Sequence, residues 1–195
     1  MEKPRGIVYF GLFVVVFSLV FIGPLFFAFR QDKTIKNVPN DTDISKNYLY
    51  GDKVELKNIL PVSDAIGKEF TGEGTEKGIQ GYLEFSIKSK VKDTVRYQIY
   101  LTKELVEGRE ISGNYIKFYL TNFNNAAFEG FNLNKLPTFD ELSVISDKPG
   151  SKLLYTGELD SLGEEKFILR SWISDSYALG QYDEFFNYTV DIRVI

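Results

Sequence analysis

Three adjacent carboxylate pairs, Asp140-Glu141, Glu164-Glu165 and Asp183-Glu184, are the first residues to weigh for acid and base chemistry. Neighbours on a strand point to opposite faces, so the two members of such a pair cannot flank one bond. They read as solvated turn and edge charges. Histidine is absent, which removes the usual general base, the usual transition-metal ligand and the usual switch near neutral pH. Cysteine is absent too, so there is no disulfide, thiolate nucleophile or Cys-ligated metal. The clusters Asp41-Thr42-Asp43 and Ser174-Asp175-Ser176 lack EF-hand spacing, and a calcium site would need ligands that converge only in three dimensions. The glycines of residues 71–78 (TGEGTEKG) are not spaced as a phosphate-binding loop, and no GKS or GKT follows. The chain therefore reads as a non-enzyme with no cofactor and no metal.

Two segments carry candidate binding chemistry. Residues 122–135 (NFNNAAFEGFNLNK) place Asn122, Phe123, Asn124, Asn125, Phe128 and Phe131 in one polar and aromatic loop, a composition that suits sugar rings through stacking and amide hydrogen bonds. The competing and favoured reading makes Phe123, Phe128 and Phe131 a plug for the end of the fold, with the Asn residues serving turns, because so aromatic a loop is costly to leave wet. The second segment, residues 54–60, is a short apolar strand carrying Val54, Leu56, Ile59 and Leu60, set apart by the glycine-rich stretch after it. It reads as a strand-exchange donor, with the last strand, residues 185–195, as the acceptor edge. Trp172, within LRSWISD, reads as core packing.

The elements that position these residues begin with a membrane segment. Behind a short basic tail (residues 1–5), residues 6–29 run 24 positions without a charge. At about 1.5 Å per residue such a helix reaches roughly 36 Å, enough to span a bilayer. A cleaved signal peptide is the alternative, but Phe26-Phe27-Ala28 sets a bulky side chain where a peptidase needs a small one, so an uncleaved signal anchor is preferred. Lys3 and Arg5 on one side are balanced by Arg30, Lys33 and Lys36 on the other, so the positive-inside rule does not decide orientation. The short tail and the strand-rich remainder favour a single-pass topology with the C-terminal domain extracytoplasmic.

Residues 30–53 are polar, without sustained periodicity, and read as a stalk. Residues 54–195 then form one domain. From Gln31 onward the chain carries 20 Lys and Arg against 26 Asp and Glu with the signs interspersed, a balance unfavourable to nucleic acid. Period-two alternation appears at Ile79, Leu83, Phe85 and Ile87, and again at Val95, Tyr97, Ile99 and Leu101. The short polar link 89–93 predicts that these two strands pair as a hairpin. A helical turn is expected around residues 104–108. Further strands are expected at Ile116, Phe118 and Leu120, at residues 142–145, 153–159 and 166–173, and from Phe186 to the last residue. Six to eight short strands and no long helix beyond the anchor predict a mainly β fold, an antiparallel β-sandwich with Greek-key or jelly-roll-like connections; a closed barrel would show the same alternation.

The layout, with GYLEFSIKSKVKDTVRYQIYLTK early and LYTGELDSLGEEKFILRSWISD before a terminal strand, resembles the TasA and camelysin group of bacterial surface proteins over residues 79–195. The resemblance implies an exported β-sandwich, a form that in some members polymerises into extracellular fibres. The expected function is thus a membrane-anchored structural or interaction module at the cell surface, with a protein partner or self-association. A glycan- or other ligand-binding ectodomain is the alternative.

Overall fold

A computed structural model of the chain describes residues 43–50, 53–57, 59–72, 81–105, 107–132, 134–178 and 184–195. The basic tail, the apolar run 6–29, residues 30–42 of the stalk, Ile79 and most of the glycine-rich stretch lie outside them. Among the described residues no helix is long and apolar enough to cross a membrane.

Ten strands and one short helix make up the described chain: β1 (Ile44–Tyr50), β2 (Lys53–Lys57), α1 (Asp64–Gly67), β3 (Tyr82–Ser89), β4 (Val95–Lys103), β5 (Arg109–Glu110), β6 (Ile116–Asn122), β7 (Ser143–Val144), β8 (Ser151–Leu159), β9 (Glu164–Ile173) and β10 (Glu184–Val194). They form two sheets, one ordered β1-β3-β9-β6 and the other β2-β10-β4-β8-β7, with β5 attached to β10. All pairings are antiparallel except the two-residue β5–β10 contact.

Alternation explains the core. Leu83, Phe85 and Ile87 from β3 and Phe118 and Leu120 from β6 join Tyr97, Ile99 and Leu101 from β4 and Tyr188 and Val190 from β10 in one buried cluster. The sheets touch through an edge-on contact of Phe118 with Tyr188, ring centroids 5.4 Å apart, and through a 2.7 Å bond from the Tyr188 hydroxyl to Ser171 Oγ. Separate sheets with distinct edge strands distinguish this arrangement from a closed barrel.

Three local expectations are corrected. First, the end of the stalk is a strand: β1 pairs with β3, so the domain begins before residue 54. An edge strand needs only partial burial, which is why Ser45, Lys46 and Asn47 show no sustained alternation. Second, β3 and β4 do not form a hairpin. Each lies between two other strands in a different sheet, and residues 90–94 carry the chain across from one sheet to the other. Periodicity identifies a strand but is silent about its partner. Third, the described residues of 104–108 show no helical turn; the link leads into β5, with a 3-10 turn further on at Gly113–Tyr115. β9, whose Trp172 is buried as the core reading has it, is buried on both faces from Phe167 onward. Phe167, Leu169 and Ser171 face the other sheet, whereas Trp172 lies on the opposite face under α1, with Gly67 against its indole.

Candidate functional site

The loop of Asn and Phe residues is built on the free edge of β6. Its first turn is closed by Asn122, whose Oδ1 accepts from the backbone N–H of Asn124 at 2.9 Å and of Ala126 at 3.0 Å. The chain then runs back along β6: Phe128 N donates to Leu120 O, Phe118 N to Pro137 O and Phe139 N to Ile116 O. A strand edge that would otherwise offer unpaired backbone groups is thereby covered.

The aromatic residues separate by role. Phe128 stacks on Phe167 with centroids 5.0 Å apart and meets Tyr155 at 4.9 Å, and Phe131 is buried. Phe123 stays 41% exposed with Lys166 over its ring. The plug reading thus describes Phe128 and Phe131 but not Phe123. Among the amides, Asn122 is engaged in its turn. Asn125, at φ 58°, accepts from Arg170 Nη2 at 2.8 Å. Asn124 remains on the surface.

Arg170 is the functional side chain that periodicity overlooks. It is 5% exposed, and its Nε donates to Phe70 O at 2.7 Å while Nη1 donates to Thr121 Oγ1 at 3.0 Å. One guanidinium therefore joins the segment after α1, strand β6 and the Asn loop to β9. Burial lowers its pKa, and the bonded oxygens satisfy the cation with no salt bridge to a carboxylate among the described residues. The signal was present in the sequence as a lone cation inside FILRSWI.

One carboxylate of each adjacent pair is likewise engaged in holding the fold. Glu165 accepts from the Tyr97 hydroxyl across the two sheets. Glu184 accepts from the Tyr177 hydroxyl and pairs with Arg109 at 2.9 Å. Glu141 sits 2.6 Å from Lys135 Nζ and accepts from Thr138 N at 2.9 Å; Lys135 chiefly, then that N–H, holds its carboxyl down to about 2. Asp183 lies outside the described residues. Among the described residues no group of three or more His, Cys, Asp or Glu is placed to hold a metal ion.

The strand-exchange segment is docked within its own chain. β2 pairs with β10 from Phe185 to Thr189, and Val54, Leu56 and Ile59 are buried while Leu60 is 69% exposed. β10, read as a free acceptor edge, is an interior strand between β2 and β4, and its β2 side is filled by its own chain.

Beside the Asn loop lies an open groove of about 360 Å³, lined by residues 129–131, by Pro137, Glu141 and Leu142, and by residues 153–156 of β8. No family model, curated protein or solved structure matches the chain. What the groove can do rests on the side chains and backbone that line it.

Proposed function

We propose that the chain is a membrane-anchored, extracytoplasmic β-sandwich that acts as a structural or interaction module at the cell surface, with no catalysis of its own. The observation that carries this reading is the use made of the buried charged side chains. Arg170 ties four segments together, and Glu184 is bound by a tyrosine and an arginine. Groups held in such staples are immobilised by the fold, whereas an acid or base must reach a substrate proton. The uncharged run of residues 6–29 supports the anchor, and the remainder supplies the displayed domain.

Self-association by strand exchange fits the same reading. β2 is an edge strand of five residues whose partner surface on β10 is identical in every copy, so one molecule's β2 can replace another's.

Proteolysis of intact cells, with the mass of the membrane-bound product, tests the proposal. Digestion from outside that leaves residues 1–29 in the membrane fraction is the expected result. A domain protected in intact cells and cut only after lysis overturns the extracytoplasmic assignment.

A further inference from the structure

One edge of the second sheet is left open beside the groove. β7 covers only Leu153 and Lys152 of β8, and beyond it residues 154–159 pair with β4 alone among the described residues. The register slips at Ile99/Tyr100, where Leu154 is the extra residue of a bulge. Ile195 N donates to Arg96 O, and Glu104 N to Asn187 O, so the even-numbered residues of β4 bond to β10 and the odd-numbered ones to β8. Tyr155, Gly157 and Leu159, which oppose Ile99, Tyr97 and Val95, therefore direct their backbone groups at β4. Thr156 and Glu158 direct theirs outward. Both residues are exposed.

The groove is the first part of the space that an added strand would fill: residues 153–156 of β8 line it, and Glu158 lies further along the same edge. Leading into β7, residues 138–142 turn away from β8 through bonds from Glu141 N and Leu142 N to Thr138 O. Among the described residues the line of β7 is thus unpaired past Leu153, and Phe131, Pro137 and Leu142 line the groove there. The charge of the lining is one-sided. Glu129 and Glu141 are its two ionisable acids and it holds no cation. Glu141 is neutralised by Lys135, whereas Glu129 is exposed and has no ion pair among the described residues.

We infer that this groove binds an extended peptide of a partner protein, which adds to β8 as a strand in line with β7 and sets a Lys or Arg side chain against Glu129. The outward N–H and C=O groups of Thr156 and Glu158 supply about four main-chain hydrogen bonds, and the apolar residues of the lining, Phe131, Pro137 and Leu142, take alternate side chains. Glu129 supplies the preference for a cation. The inference deepens the interaction-module reading by naming a partner chemistry, but it does not depend on which side of a membrane the domain occupies.

The test is selection of a random heptapeptide phage library on the full chain in detergent micelles, followed by fluorescence anisotropy of the enriched peptides. Enriched sequences are expected to alternate apolar and polar residues and to carry Lys or Arg. Thr156→Pro removes an outward N–H from an edge position, where proline is tolerated, and should abolish binding while the Trp172 emission stays unchanged. Glu129→Lys leaves the edge intact and should weaken the cationic peptides by about tenfold or more. No enrichment, or peptides that bind both variants as they bind the parent, overturns the inference. So does displacement of bound peptide by chitohexaose, which assigns the groove to a glycan, or oligomers of the chain itself that Thr156→Pro dissolves, which assign the edge to a second copy. Because micelles impose no sidedness, failure here leaves the protease result on cells unaffected.

Discussion

Gly67 and Trp172 meet with no room for a methyl group between them: a Cβ at Gly67 would lie 2.1 Å from the indole ring. The four-residue α1 has no side-chain hydrogen bond at its N-cap, Ser63, so its seat depends on contacts such as this one and the edge-on packing of Phe70 against Trp172. It covers a face of β9 that the other sheet does not reach.

Gly67→Ala should therefore lift α1 from the sheet and destabilise the domain by about 1–3 kcal/mol, the usual cost of overpacking. The chain has a single Trp, so its fluorescence reports this site alone. A red-shifted emission and a lower urea midpoint are expected, and an unchanged spectrum and midpoint would count against the close packing.

Arg170 joins Phe70, Thr121 and Asn125, three segments far apart in sequence. Arg170→Met keeps the aliphatic stem but removes all three bonds, and a loss of about 3 kcal/mol is expected. Arg170→Lys should recover little, because a point ammonium cannot reproduce the planar fork. Hydrogen exchange supplies the sharper reading: protection should fall together at residues 70–72 and 122–126. Loss at only one of them would mean that Arg170 does not couple the two.

Tyr97, Tyr155 and Tyr188 have pKa values raised above the ordinary 10.0, each chiefly by burial, with the Glu165 hydrogen bond adding to the effect at Tyr97. The unfolded chain releases these phenolic protons first, so the stability they confer is complete below about pH 10 and is lost as pH rises toward the folded-state values. Absorbance at 295 nm and Trp172 emission followed over rising pH should show these tyrosines ionising only as the domain unfolds. Tyr97→Phe should flatten the alkaline loss of stability. Buried tyrosines that titrate fully while the fold persists would contradict this account.

Glu55 and Asn187 face each other where β2 pairs with β10. They form a non-hydrogen-bonded pair, in which the Cα atoms approach to about 4.5 Å, inside the range a disulfide needs. The chain has no native cysteine, so Glu55→Cys with Asn187→Cys introduces the only two thiols. Oxidation of dilute protein should give a monomer with an internal bond. At high concentration, strand exchange predicts covalent oligomers through the same two positions, and monomer at every concentration would exclude exchange of β2.

Much of the strand inventory was legible in the sequence because a half-buried strand writes its burial directly into alternation. Leu83, Phe85 and Ile87, or Tyr188 and Val190, are apolar at every second position since one face meets the core and the other meets water. The absence of His and Cys, and the uncharged run 6–29, are likewise facts of composition that no fold alters. Pairing was not legible, because the same pattern serves a strand whatever lies beside it. Only the tertiary structure separated β3 from β4 into different sheets and recruited residues 44–50 as an edge strand. The candidate site was decided at the same level. Asn122 and Asn125 looked available for a ligand until their amides met a backbone turn and Arg170, and the groove beside β8 exists only because the chain joins the line of β7 no earlier than Ser143, after the turn of residues 138–142. Such features arise from contacts between residues distant in sequence, whose spacing along the chain carries no mark of their meeting.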